Sequence, residues 1–444
     1  MPLKTYFVET WGCQMNVLDS QRLAGLLEAR GLREVGRAED ADVALLNTCS
    51  VREKAVQKVL SRLGELKSAR DAGGKPDVVG LCGCVAEQEG ARLLARSSVL
   101  SFVLGPGRIS QLPTALDAVA GGHRSAVTGF SATEDYDSHL IARGSGARQF
   151  VTVIHGCNQH CTFCVVPYTR GHERSRPLDE VLDEVRRLAE GGVKEITLLG
   201  QTVNAYRCPV TGADLGDLLE ALGSVEGLWR IQFVTSHPAF FTDKILAQLP
   251  HIDRLGTYVH VPFQSGSDPI LRRMHRGYTR AEYVDLVGRL RASLPGVTLS
   301  TDVIVGFPGE TDDDFESTVE VVSEVRFGQL YGFIYSPRPR TPAARYADPV
   351  TRETAGARLE RLFQVQSAIQ LELNQSLIGR ELEVLLDGPA KRGSGVWQGR
   401  GADNRVVNLP SWEGIGAGQL VTVSVTGATA HALLGEVRQR RPGA

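Results

Sequence analysis

Three cysteines within one short stretch, Cys157, Cys161 and Cys164, constrain most strongly what this chain can fold into. Three residues separate the first pair and two separate the second, so one loop can offer three thiolates to a cubane iron–sulfur cluster and leave the fourth iron open. The preceding residues 151–154 are apolar and β-branched, which predicts a strand. Because active sites of parallel α/β folds gather where strands end, we expect this loop at the active-site edge.

Two other interpretations of the cysteine loop stay open at this point. A single free cysteine is most often a small buried apolar residue, but three cysteines among Asn, Gln, His and Thr do not form a core pattern. A structural zinc site normally uses four Cys or His ligands, and His155 or His160 would supply the fourth.

Composition limits the class of protein. The chain has 444 residues, a net charge of −2, 42% hydrophobic and 23% charged residues, which is typical of a globular protein of several domains. Nucleic-acid contacts would then need local basic patches. No apolar run approaches the roughly 20 residues of a membrane span, and no signal-peptide pattern opens the chain. Eight cysteines suit metal ligation in a reducing compartment, so we expect a cytoplasmic protein.

The first segment, residues 1–140, alternates strand-like and helix-like runs. This alternation predicts an α/β domain with a doubly wound, flavodoxin-like parallel sheet. The strand-like runs are residues 6–10, 43–47, 78–81 and 102–104. The helix-like runs are residues 17–29, 52–69, 87–95 and 109–119. Residues 121–149, which are rich in Gly, Ser, Ala and Thr, predict a linker.

Cys13, Cys49 and Cys84 follow the first three of these predicted strands. The carboxyl ends of parallel strands share one edge of the sheet, so we expect the three thiolates to converge on a second cluster with one open iron. Each cysteine alone would be interpreted as a core residue, but three equivalent positions favour metal ligation. Cys82 is an alternative third ligand; Cys84 is preferred because it stands beyond Gly83, in the loop.

The second segment, residues 145–375, continues the alternation through six strand–helix units and predicts a partial (β/α)6 barrel. Gln201, Ser236, Gln264 and Glu310 follow successive predicted strands. Polar side chains at one barrel edge can hold a nucleoside and its polar tail. Ordinary turn chemistry is the alternative for any one of them.

Basic residues occur in two places where RNA contact is a candidate role. Arg170, Arg174 and Arg176 follow the cysteine loop, where substrate phosphate contact competes with a solvated charged face. The third segment, residues 376–442, has four β-type runs separated by Gly and Pro, which predicts a small β-barrel. Its basic residues, interleaved with Trp397, fit RNA contact, with a structural cap as the alternative. These residues are Lys391, Arg392, Arg400 and Arg405.

Over essentially its full length the chain resembles the methylthiotransferase family of radical S-adenosylmethionine (SAM) enzymes. The residues that carry the resemblance are 12–16, 47–55, 83–86, 157–176, 199–206, 300–310 and 403–405. The resemblance implies an N-terminal domain with three cluster cysteines, a radical SAM barrel and a C-terminal RNA-binding TRAM domain. It implies Cys84 as the third auxiliary ligand and places Phe163 at the SAM site. Departures from the family pattern are Thr202, Arg340 and the additional Cys208.

The resemblance also implies a chemistry. Two [4Fe–4S] clusters and SAM would add a methylthio group to C2 of isopentenylated adenosine beside the anticodon of tRNA. One SAM would methylate sulfur, and a second would yield the radical that takes hydrogen from C2. A flavodoxin- or ferredoxin-type electron donor and a monomeric enzyme are implied as well.

Other substrates and one non-catalytic function remain as alternatives. The same family includes enzymes acting on threonylcarbamoyl-adenosine in tRNA and on an aspartate of a ribosomal protein; residues 14–16 and 50–54 favour the isopentenyl substrate by resemblance. An iron–sulfur electron carrier would need neither a barrel-sized pocket nor an RNA-type domain.

Overall fold

The computed structural model describes residues 3–50, 53–130, 141, 146–391 and 393–440. Two compact units are present. The first comprises Met1–Gly144, His155–Gln159 and Cys164–Arg174, and the second comprises Ser145–Ile154, His160–Phe163 and Ser175–Ala444. The loop that carries the three clustered cysteines therefore contributes to both units. Among the described residues, no helix combines the length and hydropathy that a membrane span requires.

The first unit is built on a six-stranded, all-parallel sheet with the strand order β2-β1-β3-β4-β5-β6. The strands are β1 (Thr5–Trp11), β2 (Arg33–Glu34), β3 (Val43–Thr48), β4 (Val78–Gly83), β5 (Phe102–Leu104) and β6 (Ser125–Val127). The helices are α1 (Gln14–Ala29), α2 (Glu53–Asp71), α3 (Cys84–Arg96) and α4 (Leu112–Ala120). The predicted doubly wound α/β fold is confirmed.

Alternation along the strands of this sheet produces a core on each face. Leu45 packs with Leu23 of α1 and Leu112 of α4, whereas Leu46 packs with Val85 of α3 on the opposite face. Successive strand residues point to opposite faces, so a buried strand needs apolar residues throughout. The short strand β6 falls within residues 121–149, which the sequence predicts as linker; three residues, Ser, Ala and Val, are too few to give a strand signal.

The second unit contains an open six-stranded parallel sheet with the order β7-β10-β11-β12-β13-β14, as in a partial (β/α)6 barrel. Its strands, with the short β8 and β9 of the cysteine loop, are β7 (Arg148–Thr152), β8 (Ile154–His155), β9 (Arg174–Ser175), β10 (Glu195–Leu199), β11 (Arg230–Phe233), β12 (Leu255–His260), β13 (Thr298–Val305) and β14 (Gln329–Ile334). The helices of the loop and the barrel are α5 (Val166–Arg170), α6 (Leu178–Glu190), α7 (Leu215–Gly223), α8 (Asp243–Gln248), α9 (Asp268–Met274), α10 (Arg280–Ser293) and α11 (Asp312–Val325).

A long helix leads from the parallel sheet to a closed five-stranded barrel with the order β15-β16-β17-β19-β18. These elements are α12 (Arg352–Gln375), β15 (Glu381–Pro389), β16 (Val396–Arg400), β17 (Val406–Pro410), β18 (Leu420–Ala428) and β19 (Leu433–Arg440). Four of the five strands match predicted runs. The sequence misses β16, Val-Trp-Gln-Gly-Arg, because Gln and Gly weaken its β signal.

The turn between β16 and β17 joins the small barrel to the parallel sheet within the second unit. Arg230 on β11 donates to the carbonyl oxygen of Gly401 at 3.0 Å. Gln232, on the same strand, donates to the carbonyl oxygen of Ala402 at 2.9 Å. Backbone carbonyls buried at such a contact need donors, so side chains of β11 hold this turn in place.

Arg405, a predicted RNA contact, takes part in the same connection. Its Nε donates to Asn374 Oδ1 at 2.9 Å, and one terminal nitrogen donates to Thr298 Oγ1 at 3.1 Å. Asp403 pairs with the guanidinium. Arg405 therefore ties the barrel to α12 and β13, and these contacts argue against the predicted role of this residue in RNA binding.

Replacing Arg405 with Ala should loosen the small barrel. Loss of two hydrogen bonds from a charged donor should lower the free energy of unfolding by about 1.5–3 kcal/mol for each bond, less where water replaces the guanidinium. Urea unfolding and limited proteolysis after Gln375 would measure the change. The exposed Lys391, replaced by Ala, is the control and should leave both measurements unchanged. Equal stability of the two variants would contradict the assigned role of Arg405.

Candidate active site

The three N-terminal cysteines all follow neighbouring strands of one parallel sheet. β3 pairs with β1 on one side and with β4 on the other, so the carboxyl ends of the three strands meet at one edge. Cys13 caps α1, Cys49 follows β3, and Cys84 is the first residue of α3. The N-terminus of a helix stabilises a thiolate through its dipole, so Cys13 and Cys84 occupy favourable positions for metal ligands.

Gly83 explains how Cys84 reaches this edge. The residue has φ 87°, and a Cβ there would lie 2.6 Å from the carbonyl oxygen of Thr48. Only glycine tolerates both conditions. The strand can therefore turn directly into α3 and leave Cys84 beside the loops that carry Cys13 and Cys49.

Asparagines fix the backbone around Cys13. Both the amide and the thiol of Cys13 donate to Asn16 Oδ1 at 3.4 Å. Asn47 Nδ2 donates to the backbone oxygen of Asn16 and to Ser20 Oγ, at 2.8 Å each. Asn16 and Asn47 are fully buried. Buried, satisfied polar networks of this kind specify one arrangement, here the relative position of the Cys13 and Cys49 loops.

Electrostatics show that the three thiols share one environment. A hydrogen bond with Cys49, opposed by burial and assisted by the charge of Arg170, lowers the pKa of Cys13 to about 6. Burial raises the pKa of Cys84, and the guanidinium of Arg170 opposes that rise. The structure thus places Cys49 in hydrogen-bond contact with Cys13, and places Cys13 and Cys84 beside the positive charge of Arg170.

Cys82 has a different environment from Cys84. It lies within β4, is fully buried and packs with Tyr6, Leu23 and Phe102. Burial raises the pKa of its thiol. A thiol in apolar surroundings is unreactive, which supports Cys84 as the predicted third ligand.

The sulfurs of the second cysteine set each accept a hydrogen bond. The amide of Gln159 donates to Cys157 Sγ at 3.4 Å and the amide of Val166 to Cys164 Sγ at 3.5 Å, both within the first unit. In the second unit, Arg276 donates to Cys161 Sγ at 3.3 Å. Donors to ligand sulfurs are typical of iron–sulfur sites, where they tune the cluster potential.

Ligand type and number are what the two cysteine sets offer a cluster. A cubane cluster with one open iron takes three thiolates, each on a separate iron, and each set has three cysteines. Across the described residues, no three His, Cys, Asp or Glu side chains converge closely enough to hold one metal ion. His160, a suggested zinc ligand, is exposed. By ligand type and number, the two sets fit two clusters with three cysteine ligands each.

Two of the predicted SAM-binding residues have buried polar atoms available for a ligand. Gln201 follows β10 and Ser236 follows β11. In the described part of the chain, the Gln201 amide and the Ser236 hydroxyl are buried without a hydrogen-bond partner. Such atoms are rare in native proteins because they carry a desolvation penalty. They mark a place where a polar ligand would complete the structure.

The other predicted SAM-binding residues differ in their packing, backbone conformation and hydrogen bonds. Phe163 packs against an apolar cluster that includes Met274 and Phe307. Gln264, after β12, is buried with φ 69°. One carboxylate oxygen of Glu310 is already occupied by hydrogen bonds within the protein. Its Oε2 accepts from the Gly306 amide at 2.6 Å and from Arg358 at 2.7 Å.

Glu310 keeps one atom for a ligand. Its Oε1 has no partner among the described residues. Burial raises the pKa of this carboxyl group, against the opposing amide of Gly306 and charge of Arg358. We infer that Glu310 mainly braces the loop after β13.

Two of the predicted RNA contacts are buried in ion pairs. Arg170 pairs with Asp19 at 2.7 Å, and Arg176 pairs with Glu184 at 2.6 Å. Both guanidinium groups are more than nine-tenths buried, and these contacts argue against the predicted role of the two residues in RNA binding. A sequence pattern of alternating Arg residues does not distinguish a solvated face from buried ion pairs.

The remaining predicted RNA contacts differ in exposure. Arg174 is partly exposed and Lys391 is exposed. Arg400 donates to the backbone oxygen of Asn404 at 3.0 Å, which supports the β16–β17 turn. Arg392 lies outside the described residues. Lys391 and Arg174 are the residues whose placement best suits phosphate contact.

Sequence reasoning missed Arg276 and Asp19. Arg276 lies 115 residues after Cys161, and nothing in the spacing links the two. Asp19 looks like an ordinary polar residue of α1. Asn16 and Asn47 belong to stretches that carry the family resemblance, so the sequence did indicate that these two residues could belong to the site.

Comparisons with known proteins agree with this geometry. Residues 151–322 match the model of the Radical SAM superfamily, and residues 5–105 match that of the Uncharacterized protein family UPF0004. The chain is 44% identical to tRNA-2-methylthio-N(6)-dimethylallyladenosine synthases of Burkholderia thailandensis and Burkholderia mallei, over 98% of this chain and 97% of each relative.

Solved structures are similar in fold. The radical SAM methyltransferase TsrM from Kitasatospora setae gives a TM-score of 0.56 at 15% identity, over 88% of this chain and 79% of that one. The cobalamin-dependent radical SAM enzyme OxsB gives a TM-score of 0.52 at 14% identity, over 82% of this chain; the match spans 56% of OxsB.

Cys84→Ala should remove about half of the iron and sulfide from anaerobically reconstituted protein, because one of two clusters loses a ligand. The matched control is Cys82→Ala, which removes a core sulfur and should keep the full iron content. Colorimetric iron and sulfide analysis of both variants measures this. If Cys82→Ala lost the iron and Cys84→Ala kept it, the two assignments would be exchanged.

Proposed function

The chain belongs to the family of tRNA-2-methylthio-N6-dimethylallyladenosine synthases, and from this premise we propose that it transfers a methylthio group to C2 of N6-isopentenyladenosine next to the anticodon of tRNA. The observation that carries the proposal is the presence of two separate three-cysteine sets, one after the strands of the first parallel sheet and one in the loop that follows β7 and β8 in the chain. One cluster with an open iron can bind SAM, and a second can carry the sulfur that is transferred.

Cysteines of the two sets would hold the cofactors. Cys157, Cys161 and Cys164 would bind the cluster that engages SAM, and the set of Cys13, Cys49 and Cys84 would bind the auxiliary cluster. When bound, the clusters and SAM supply reductive SAM cleavage and delivery of the methylthio group. The protein contributes by positioning these groups and excluding water.

Side chains of the parallel barrel would hold SAM. The amide of Gln201 and the hydroxyl of Ser236, which have no hydrogen-bond partner among the described residues, are suited to its polar groups. Phe163, which packs against the apolar cluster that includes Met274 and Phe307, would contact the apolar part of SAM. Gln264 and the free Oε1 of Glu310 complete the set of proposed contacts.

Each of the three segments 1–140, 145–375 and 376–442 would then have its own function. The first would hold the auxiliary cluster, the second the SAM cluster and SAM, and the third tRNA. We propose that the enzyme acts as a monomer in the cytoplasm and receives electrons from a flavodoxin- or ferredoxin-type protein. Lys391 and Arg174 are the proposed phosphate contacts, together with Arg392 and Arg400.

A deletion strain should lack 2-methylthio-N6-isopentenyladenosine and accumulate N6-isopentenyladenosine. Complementation with the chain should restore the product, whereas the variant with Cys157, Cys161 and Cys164 replaced by Ala should not. Mass spectrometry of tRNA nucleosides measures both. Loss of a methylthio derivative of threonylcarbamoyl-adenosine, or of a ribosomal-protein aspartate modification, would contradict the proposed substrate and identify one of the family's other substrates.

Lys391→Glu should weaken tRNA binding and make it less sensitive to salt. With one phosphate contact fewer, tRNA binding releases about one counterion fewer. The negative slope of log affinity against log salt should therefore become less steep by about 1. Filter binding at several salt concentrations measures this. The control is Lys67→Glu, an exposed residue of α2, which should change neither value. Identical slopes for the two variants would exclude Lys391 as a contact.

A further inference from the structure

Arg276 is a buried cation whose hydrogen-bond partners, within the part of the chain that the structure describes, include no carboxylate. Its three nitrogens donate to Cys161 Sγ at 3.3 Å, to the carbonyl oxygen of Pro262 at 3.2 Å and to the Tyr278 hydroxyl at 3.0 Å. The residue is only 7% exposed. A buried guanidinium is costly unless an anion compensates it, and the sulfur of Cys161 is anionic when it is a cluster ligand.

The position of Arg276 is fixed by its surroundings. It follows α9, and the Tyr278 ring lies 5.3 Å from its guanidinium carbon. The same Tyr278 hydroxyl donates to the backbone oxygen of Phe263 at 3.0 Å, which ties the pair to the end of β12. The N–H group of Arg276 is therefore aimed at Cys161 by rigid elements of the second unit.

Arg170 has a related position beside the other cysteine set, but its charge is shared. It ends α5, which packs against α3, the helix that begins at Cys84. Its guanidinium pairs with Asp19 at 2.7 Å, and both side chains are buried. Asp19 neutralises part of the charge that Arg170 presents to Cys13 and Cys84.

We propose that Arg276 and Arg170 are positioning residues that set the reduction potentials of two different clusters. Arg276 would raise the potential of the cluster on Cys157, Cys161 and Cys164, and Arg170 that of the cluster on Cys13, Cys49 and Cys84. Reduction adds negative charge to a cluster, and a nearby cation or N–H donor to a ligand sulfur stabilises that charge. The inference rests on the proposed function, which supplies the two clusters.

The different partners of the two arginines predict different magnitudes. Among the described residues, no carboxylate pairs with Arg276, so less of its charge is neutralised before it acts on the cluster. Arg170 is compensated by Asp19, so its net effect should be smaller. Removing Arg276 should therefore shift the potential of its cluster further than removing Arg170 shifts that of the other.

The test is potentiometric titration of the full-length reconstituted protein, monitored by electron paramagnetic resonance. Each cluster is observed alone in a variant in which the other three cysteines are replaced by Ala. Arg276→Gln should move the potential of the SAM-binding cluster to a more negative value and leave the auxiliary cluster unchanged. Arg170→Gln should do the reverse, with the smaller shift. Each variant serves as the matched control of the other.

Lysine variants separate charge from mere packing. Arg276→Lys retains the charge without the planar set of donors, so it should shift the potential in the same direction as Gln but by less. If Arg276→Gln did not retain its cluster, the potential of the cluster in Arg276→Lys would test whether Arg276 sets it. Potentials equal to those of the unmodified chain, or equal shifts of both clusters in either variant, would overturn the inference.

The same titration separates failure of this inference from failure of the proposed function. The unmodified chain is measured first. A single cluster there would contradict the proposed function itself. Two clusters in the unmodified chain, together with potentials that the Gln variants leave unchanged, would contradict only the roles of Arg276 and Arg170.

Discussion

Parallel pairing of β1, β3 and β4 is the constraint on which the auxiliary site depends. Cys13, Cys49 and Cys84 are far apart in sequence, and only the shared carboxyl edge of these strands brings them together. An antiparallel neighbour would send one cysteine to the opposite edge. The asparagine network of Asn16 and Asn47 then fixes the loops at that edge. The site is thus a property of the strand order.

The same edge rule explains how much of the site could be predicted from the sequence. A cysteine just after a predicted strand has a known place once the sheet is parallel, and this holds for Cys49 and Cys84. Core strands with continuous apolar runs were equally clear. β6 and β16 were missed because they are short or contain Gly and Gln, so tertiary pairing rather than local preference makes them strands.

Arginine positions could not be predicted in this way. Arg170, Arg176 and Arg405 have the sequence signature of an RNA-binding surface, yet each is tied to a carboxylate or an amide of the protein. The sequence shows charge but not burial, and burial decides whether a guanidinium meets phosphate or stabilises the fold. Arg276 shows the opposite case, because its sequence context gave no functional signal and its contact with Cys161 appears only in three dimensions.

The two sets of three cysteines predict two clusters of the same type on one chain, each with three cysteine ligands. The most direct test is iron and sulfide analysis with Mössbauer spectroscopy of the anaerobically reconstituted full-length chain. About eight irons and eight sulfides per chain, with spectra of two [4Fe–4S] clusters, are the predicted result. About four of each, with the spectrum of one cluster, would contradict the account.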